Sequence, residues 1–528
     1  MSKSVLFNKE AKDALQKGMN TVADAVGSTL GAAGKTVIMS YYHNAQPIVS
    51  KDGVTVANSI SLEDEIENVG AKLIIGVASK SVKDSGDGTT SSTVLAQSII
   101  NSGLDAVEQG ANPAEVKRGI DKAVDKVVEM LQSFADPIGD DNNKIKNIAT
   151  ISANNDAFIG SLIADAYAKI GNNGLLLIED SGTIETKIET IEGVEIPKGY
   201  MSPHFANNKE KMQFVHEEVL FLIADYTIST MMDLAPILNK LGEAGKLNHA
   251  IVIIARDFEG EAFSSMVINN NKGITKVCLV KAPSSYRNET MDDIAKVTGA
   301  TVIRDEQGLK MDMVEPIHLG RAEKVMISEY TTTIIGGLGD KDELESHKKE
   351  VKIQLDGIKD EQLKEVWEKR LAQLSGSIGV IKVGAKTDVE LKEKKDRVDD
   401  AVRAVKSAIE EGIVVGGGVA LIRCMDSLSE IEAINDEKIG VEIIKNACMS
   451  PLKKMLENAS ENVSIINDVK KGERNYGYNV KTRTFENLFD SGVIDPVKVV
   501  RCALQNAASV GIAIIGSDCL IVEIKPKQ

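Results

Sequence analysis

The chain has 528 residues, 43% hydrophobic and 27% charged, a composition typical of globular domains, and at this length we expect two to four of them. Its net charge of −16 excludes a general nucleic-acid binder, which needs a basic face. The N-terminus has no signal or transit pattern, and no apolar run of membrane-spanning length is recognised, so we expect a cytoplasmic protein without membrane contact. The five cysteines are scattered without metal-ligand spacing, which favours reduced buried thiols over a metal site or disulfides.

The first 60 residues predict a helix and two short strand regions. Apolar residues at helical spacing predict a helix over 8–30. The GAAGKT segment at 31–36 lacks the first glycine of a P-loop and follows a helix rather than a strand, so we interpret it as a helix end followed by a strand at 36–39. Apolar runs at 47–50 and 54–57 flank an Asp-Gly pair, which predicts a β-hairpin.

The next segment contains the most informative motif, GDGTT at 86–90, between a helix predicted over 64–85 and one predicted to end near Asn101. Its glycines permit a tight turn, and a threonine can cap the following helix. Such a helix start attracts anions, and Asp87 is suited to Mg²⁺, which joins carboxylates to substrate phosphates. One interpretation is therefore a magnesium-nucleotide pocket. The other is a capped loop with Asp87 as a turn residue, which these residues alone slightly favour.

The rest of the chain changes character twice. Another helix is predicted after Pro113, a linker over 135–144, and a buried strand over 174–180. From about 192 to 376 strands and helices alternate, which indicates an α/β region. Charged helices are predicted over 340–372 and 388–411. The last hundred residues are again helical and rich in Ala, Val and Ile, which suggests one domain built from both chain ends.

Six motifs in a fixed order resemble those of the group I chaperonins, the 60-kDa family of bacterial GroEL. Besides GDGTT they are KDG at 51–53, TISAN at 150–154, KKDRVDDA at 394–401, VVGGGVAL at 414–421 and NYGYN at 475–479. The resemblance covers essentially the whole chain, and six ordered motifs over more than four hundred residues are highly specific.

The resemblance implies a multi-domain α plus α/β fold. A mainly helical equatorial ATPase domain would comprise 1–134 and 411–528. An intermediate hinge domain would comprise 135–191 and 379–410, and an α/β apical substrate-binding domain 192–378. The subunits would form a homo-oligomer of seven-membered rings, single or double.

The resemblance also implies an ATPase whose cofactors are ATP and Mg²⁺, with K⁺ as a further candidate. Asp87 would bind Mg²⁺, and Asp52 and Asp400 would act as catalytic carboxylates on the attacking water. Asp400 lies on the 388–411 helix, which would have to swing towards the pocket. The implied nucleotide contacts are Thr29, Leu30, Gly31, Lys51, Asp87, Gly88, Thr89, Thr90, Ser91, Gly417, Asn479, Val480 and Asp495.

A second implied surface is an apical groove between two helices that binds unfolded polypeptides. Residues 231–241 and 263–268 each carry an apolar stripe, which equally fits a helix facing its own core. Three such side chains contribute about 5–9 kcal/mol against an association cost of about 4–15, so several grooves around a ring would be needed. The implied substrate contacts are Tyr200, Phe205, Leu234, Leu238, Phe263, Val267 and Ile268.

The chain departs from the family pattern at several positions. Ala32 and Ala33 replace a proline and a lysine, His204 and Ala235 replace more apolar residues, and Glu329 occupies a position that faces a lysine in the family. A segment at 284–289 also differs, and the usual Gly-Met tail is missing at 524–528. These changes bear on a co-chaperonin lid, on ring number and on substrate range.

Three hypotheses follow for the function. The first is an ATP-driven chaperone that folds proteins in a closed cavity, an isomerase-class protein-refolding activity. The second is an ATP-independent holdase or assembly scaffold on the same fold. The third, a small-molecule ATP-dependent enzyme, ranks last because no acceptor site is recognisable.

Overall fold

The computed structural model of the chain describes residues 2–40, 48–139, 141–153, 155–172, 174–245, 248–284, 286–304, 308–358, 360–375 and 377–524. Several sequence expectations fall outside this range. They are Pro47 of the expected hairpin, Asn154 of the TISAN motif, Ser285 of the divergent segment, and the chain end at 525–528.

Helices and strands are numbered in chain order. The N-terminal part contains β1 Ser2–Phe7, α1 Asn8–Gly27, β2 Val37–Met39, β3 Ile48–Ser50, α2 Gly53–Asn58, α3 Glu65–Ser85, α4 Thr89–Glu108, α5 Pro113–Ser133, α6 Asn142–Ser152 and α7 Ala157–Ile170. The middle contains β4 Leu175–Asp180, β5 Lys187–Ile196, β6 Phe214–Ile228, α8 Met231–Glu243, β7 Ile251–Phe258, α9 Gly260–Asn271, β8 Val277–Lys281, α10 Arg287–Thr298, β9 Val302–Ile303, β10 Gly320–Ile327, β11 Thr332–Gly337, α11 Lys341–Gly357, α12 Glu361–Ser375 and β12 Ser377–Val383. The C-terminal part contains α13 Asp388–Glu411, β13 Ile413–Val415, α14 Val419–Cys424, α15 Glu437–Ala447, α16 Ser450–Asn458, α17 Ile465–Lys471, β14 Tyr476–Asn479, β15 Thr484–Asn487, β16 Ile494–Pro496, α18 Val497–Ile515 and β17 Cys519–Ile524.

The chain divides into two compact units. Unit 1 comprises Met1–Asp165, Gly182–Glu185 and Val383–Gln528, and unit 2 comprises Ala166–Ser181 and Thr186–Lys382. Both chain ends therefore lie in one unit. The finer division into equatorial, intermediate and apical domains stays a prediction.

Unit 1 is built around packed helices. α1, α3, α4, α5, α15 and α18 contact one another and bury a core made mainly of Val, Ile, Leu and Ala. The start of α5 is determined by local sequence. Pro113 occupies its first turn, and the side chain of Asn112 accepts a hydrogen bond from the N–H of Ala114 at 3.0 Å. Glycine lets α1 and α3 approach closely, since a Cβ on Gly18 would lie 1.8 Å from the carbonyl oxygen of Glu67.

The predicted hairpin around Lys51-Asp52-Gly53 is wrong. β3 pairs back with β2 in an antiparallel ribbon, and the residues after Asp52 form helix α2. Asp52 is the N-cap of α2 and accepts hydrogen bonds from the N–H groups of Val54 at 3.3 Å and Thr55 at 2.7 Å. Capping of a helix by aspartate thus overrides the Asp-Gly turn signal, and α2 buries Val56 and Ala57.

The other N-terminal predictions are largely confirmed, with one helix longer than expected. α1, β2, α3 and α5 lie where the sequence predicted them. α4 continues to Glu108 instead of ending near Asn101. The Ser-Gly pair after Asn101 reads as a helix end, but Gly103 lies inside the helix where a Cβ would come 2.2 Å from Ile515 Cδ1. Close packing on α18 therefore accounts for that glycine.

Three predictions for the chain after residue 170 agree with the structure only in part. The strand over 174–180 is confirmed as β4, but only Leu176 in it is fully buried. The charged region 340–372 forms two helices, α11 and α12, instead of one, whereas α13 matches 388–411. The C-terminal region is not all helical, because β14 and β15 form a hairpin and β13 pairs with β16.

α18 has the length and apolar composition of a membrane span, which the sequence reading did not recognise. In unit 1 this helix packs against α3, α4, α5 and α13, and 56% of its most apolar window is buried. Its apolar character is explained by its place in the core.

Unit 2 is an α/β structure, as predicted for this region. The strand order of its sheet is β4-β12-β5-β11-β10-β6-β7-β8, with β9 beside β6. β6 runs parallel to β7 and β9, and β7 runs parallel to β8, whereas β10 joins β6 antiparallel. The helices α8, α9 and α10 connect the parallel strands in the order β6, β7, β8, β9.

Candidate functional site

The first three residues of the GDGTT motif, 86–88, connect α3 to α4, and its two threonines begin α4. Gly86 ends α3 with φ +77°, and Gly88 is the N-cap of α4 with φ +87°. Space is restricted at both, since a Cβ on Gly86 would lie 2.3 Å from Arg403 Cβ and one on Gly88 would lie 2.8 Å from Val499 Cγ1. These positions therefore require glycine for backbone conformation and for packing.

The expected threonine cap is wrong, because the N-cap of α4 is Gly88 and no side chain caps this helix. The hydroxyl of Thr93 instead donates back to the carbonyl oxygen of Thr89 at 2.9 Å, within the helix. The first N–H groups of an α-helix have no partner inside the helix. An uncapped start of this kind favours a bound anion.

Four carboxylates converge on this loop from separate parts of the chain. Asp87 is half-buried, accepts a hydrogen bond from the N–H of Gly88 at 2.5 Å, and has its pKa raised by desolvation and by the charge of Asp52. Burial, followed by the charges of Asp87 and Asp52, raises the pKa of Asp400 well above its ordinary range. Burial and Asp87 raise the pKa of Asp495 to about 6.

These shifts have one cause, since carboxylates taken out of water next to one another resist ionisation. Among the described residues, no group of three or more His, Cys, Asp or Glu side chains is arranged to hold a metal ion by itself. Mg²⁺ usually takes only one or two carboxylates together with substrate phosphates and water. The arrangement of Asp87 and its neighbours fits that mode.

Asp400 reaches the loop because α13 packs over it. The hydroxyl of Ser407 donates to the carbonyl oxygen of Ser85 at 2.7 Å, and the aliphatic part of Arg403 covers Gly86. We expected this helix to be distant and to swing in, but in this structure it already lies against the loop.

The sequence reading missed three residues that shape the site. Ser407 and Arg403 position α13, and the side chain of Ser152 hydrogen-bonds to Asp87. A signal was present, since Asp400, Arg403 and Ser407 recur at i, i+3 and i+7 on one helical face. Ser152 belongs to the TISAN motif.

Of the other expected residues in this part of the chain, Thr29 approaches the loop, whereas the contacts of Leu30 and Gly31 are with α16. The hydroxyl oxygens of Thr29 and Thr90 lie 3.4 Å apart, and the carbonyl oxygen of Leu30 accepts from Asn458 Nδ2 at 2.9 Å. Gly31 has φ +83° and is covered by Met455. Ser91 follows in the first turn of α4.

Of the C-terminal motifs, the glycine turn lies beside Asp495, whose pKa is raised in part by the charge of Asp87. β13 pairs with β16 so that Val414 lies opposite Asp495, which brings the glycine turn at 416–418 next to that carboxylate. Gly417, in this turn, has φ +66°. Asn479 makes local hairpin contacts, donating from Nδ2 to Glu486 Oε1 at 2.6 Å.

Among the described residues, three expected nucleotide contacts, Lys51, Asn479 and Val480, have no polar contact with the glycine loop. Lys51 is exposed, and Val480 packs partly against the helical core. Their place in a nucleotide site stays a prediction.

Comparison with known proteins identifies the family. The model of the TCP-1/cpn60 chaperonin family matches residues 22–525. The chain belongs to this chaperonin family. The match includes the glycine loop, the four carboxylates and the whole of unit 2.

Solved structures agree on the chaperonin fold. The chain is similar to the chaperonin gp146 from the bacteriophage EL 2 (Pseudomonas aeruginosa), whose crystal structure was determined in the presence of ATP-BeFx. For crystal form II the TM-score is 0.75 at 23% identity, with 99% of each chain covered. For crystal form I the TM-score is 0.67 at the same identity and coverage.

The expected substrate groove of this chaperonin is only partly exposed. Tyr200, Phe205 and Leu234 are buried in the core of unit 2, so the alternative of core-facing side chains holds for them in this structure. A larger set is left partly or well exposed on the adjacent helices α8 and α9. It consists of Leu238, Phe263, Val267, Ile268 and Met232.

Proposed function

We propose that this chaperonin subunit binds and hydrolyses Mg-ATP at the GDGTT loop and uses the nucleotide cycle to capture and release unfolded polypeptides. The observation that supports this most strongly is the set of four carboxylates around an uncapped helix start. Carboxylates that lie close together with little access to water favour a bound cation, and an uncapped helix start favours a bound anion.

Each group then has a role in phosphoryl transfer. Asp87 would hold Mg²⁺, and the hydroxyls of Thr89, Thr90 and Ser91 with the first N–H groups of α4 would hold the phosphates. Bound Mg²⁺ would supply positive charge against the phosphate oxygens. The charge of Asp52 acts on both Asp87 and Asp400, so the three carboxylates are close together, and Asp52 or Asp400 can orient the attacking water and accept its proton.

We further propose that copies of the chain associate in rings through the two β-ribbons of unit 1. The β1–β17 ribbon and the β2–β3 ribbon carry exposed apolar side chains and open strand edges, which are typical of surfaces covered by another chain. A head-to-tail contact between them closes into a ring. The exposed residues are Val5, Phe7, Ile38, Ile48, Val49 and Ile521.

Unfolded polypeptides are the proposed substrates of the exposed residues on α8 and α9. Two of these side chains, Ile268 and Met232, are at least half exposed, at 50% and 84%. Full burial of each contributes only about 1.5–3 kcal/mol, so useful affinity requires several subunits acting together. A cytoplasmic location, a co-chaperonin lid and K⁺ dependence belong to the same proposal.

The test is refolding of a chemically denatured, aggregation-prone enzyme by the purified oligomer. We expect recovered activity to require Mg-ATP, and arms with and without a co-chaperonin would show whether a lid is needed. Protection from aggregation that is the same with and without ATP would instead indicate the holdase. Electron microscopy of the same sample should show rings, and monomers under all nucleotide conditions would contradict the ring.

A further inference from the structure

A cavity of about 280 Å³ lies within unit 1, beside the carboxyl end of α5. Its walls come from separate parts of the chain, namely the end of α5 with residues 134–136, β13 with α14, residues 474–475 before β14, and Phe489 after β15. None of the described residues that line it is among the expected nucleotide contacts. Ligand pockets usually have volumes of roughly 300–1,000 Å³, so this cavity suits a small molecule.

One part of the cavity wall is apolar. Val414, Val415 and Ala420 are buried in the core of unit 1 and also line the cavity. Phe134 and Phe489 line it as well, and both are half-buried. Aromatic and aliphatic side chains of this kind form most of the wall in small-molecule sites, where a few polar groups fix the orientation of the ligand.

Two arginines supply polar groups at the cavity. Arg423 is half-buried and donates to backbone carbonyl oxygens, from Nη1 to Val469 and from Nη2 to Tyr476, each at 2.6 Å. Arg474 is exposed, and its Nη2 donates to the carbonyl oxygen of Phe134. Its Cζ lies 5.1 Å from the centroid of the Phe134 ring, which places the guanidinium at the aromatic side of the cavity.

Neither guanidinium is neutralised by a carboxylate. Across the described ranges, no Asp or Glu forms an ion pair with Arg423 or Arg474, whose contacts are with backbone carbonyls and an aromatic ring. Burial lowers the pKa of the Arg423 guanidinium, and the charge of Asp426 opposes this effect. Asp136 also lines the cavity, but it is paired with Lys144 at 2.8 Å. The helix ends of α17 and α5 offset only about half of each arginine charge. The cavity wall therefore carries net positive charge.

We propose that this cavity binds a small organic anion with a carboxylate on a flat apolar body, at a site separate from the glycine loop. The carboxylate accepts hydrogen bonds from Arg474, whose other N–H groups have no partner within the described residues. A planar carboxylate matches the guanidinium fork, which can donate two parallel hydrogen bonds to it. The flat body packs against Phe134, Phe489 and the apolar wall. Because Arg474 is exposed, the ligand can enter from solvent.

The test is calorimetric titration of cinnamate into the full-length protein, with saturating Mg-ADP present to occupy the glycine loop. We expect one saturable site per subunit. Cinnamyl alcohol has the same flat body without the charge, and acetate has the carboxylate without the body, so each should bind at least tenfold more weakly. The alcohol also measures binding of apolar molecules to other exposed surfaces of the protein.

Two variants test the two parts of the wall. Arg474→Gln removes the guanidinium, and Ala420→Leu fills part of the cavity from α14, so each should weaken cinnamate binding at least tenfold. Arg483→Gln is the matched control, because it removes another exposed arginine of unit 1 that does not line the cavity, and it should leave the affinity unchanged. The proposal is overturned if cinnamate shows no saturable binding, if cinnamyl alcohol binds as tightly, or if Arg474→Gln or Ala420→Leu binds cinnamate with unchanged affinity.

Discussion

The pKa values of carboxylates with little access to water shift in opposite directions in the two units of this chaperonin. In unit 1, Asp87, Asp400 and Asp495 lie near one another, and their pKa values are raised. In unit 2, Asp225 lies among arginines, and its pKa is lowered. The sign of each pKa shift follows the neighbouring charges, which belong to carboxylates in unit 1 and to arginines in unit 2.

The largest expected effect comes from removing the proposed catalytic carboxylate of unit 1. Asp400→Ala should lower the rate of ATP hydrolysis about 100- to 10,000-fold while changing ATP affinity less than threefold, because a general base acts only in the chemical step. Steady-state turnover together with nucleotide binding would measure both. Asp388→Ala, which removes an exposed carboxylate in the first turn of the same helix, is the control and should keep most of the activity. Unchanged turnover in Asp400→Ala would contradict the assignment.

In unit 2 the corresponding change should destabilise the protein. Asp225→Asn removes the carboxylate that faces Arg256 and Arg287, and the loss of its charge-assisted hydrogen bond costs about 1.5–3 kcal/mol. Because the pKa of Asp225 is lowered on folding, its stabilisation is present above its unfolded pKa and is lost as pH falls through the folded value. Urea unfolding at pH 7 and at pH 3 measures this. The variant should be less stable at pH 7, with the difference shrinking at pH 3. Equal stability of the variant and the unsubstituted protein at pH 7 would contradict the claim that ionised Asp225 stabilises unit 2.

The opposite sign is expected at Asp495 in the nucleotide-free protein. Its pKa rises on folding from 3.8 to about 6, so ionisation opposes folding, and the penalty grows as pH rises through about 6. The shift of about two units corresponds to about 3 kcal/mol. Asp495→Asn should therefore stabilise the nucleotide-free protein by up to about 3 kcal/mol at pH 8, and by little at pH 4. Destabilisation at pH 8 would show that ionisation of Asp495 does not oppose the folding of unit 1.

The smallest expected effect concerns the helix that carries Asp400. Ser407→Ala removes the hydrogen bond from α13 to the carbonyl oxygen of Ser85 and should cost about 1 kcal/mol of α13 docking. We expect ATP turnover to fall about fivefold with little change in nucleotide affinity. Ser133→Ala is a control, because that hydroxyl makes a comparable bond to a backbone carbonyl within α5, away from the loop. Equal activities of the two variants would show that this contact does not position Asp400.

The sequence predicted the helices of unit 1, the α/β character of unit 2 and the importance of the GDGTT loop, because periodicity and glycine placement are local signals. The predictions failed where contacts between residues distant in the chain determine the local structure. Asp52 reads as a turn residue but caps α2, and α4 continues past its predicted end near Asn101, with Gly103 packed on α18. The groove residue Leu234 lies in the core, which its helical spacing alone could not distinguish from exposure.

The two charged clusters could not be predicted from the residues alone, because their side chains come from distant parts of the chain. Asp400 alone reads as a surface charge, and only the family resemblance assigned it to the pocket. Arg256, Arg287 and Arg304 are separated by about 30 and 17 positions in the printed sequence, and only the order of the parallel strands brings them together. Spacing along the chain carries no information about such convergence.

The most direct test of the account is the Mg²⁺ dependence of ATP binding. Calorimetric titration of ATP, with Mg²⁺ and with a chelator, would be made on the unsubstituted protein and on Asp87→Asn. We predict that Mg²⁺ strengthens ATP binding to the unsubstituted protein at least 100-fold, because the crowded carboxylates oppose the phosphates until a cation joins them. We predict that Asp87→Asn loses most of this dependence. Equal ATP affinity with Mg²⁺ and with the chelator would contradict the claim that the carboxylates of unit 1 form a magnesium-nucleotide site.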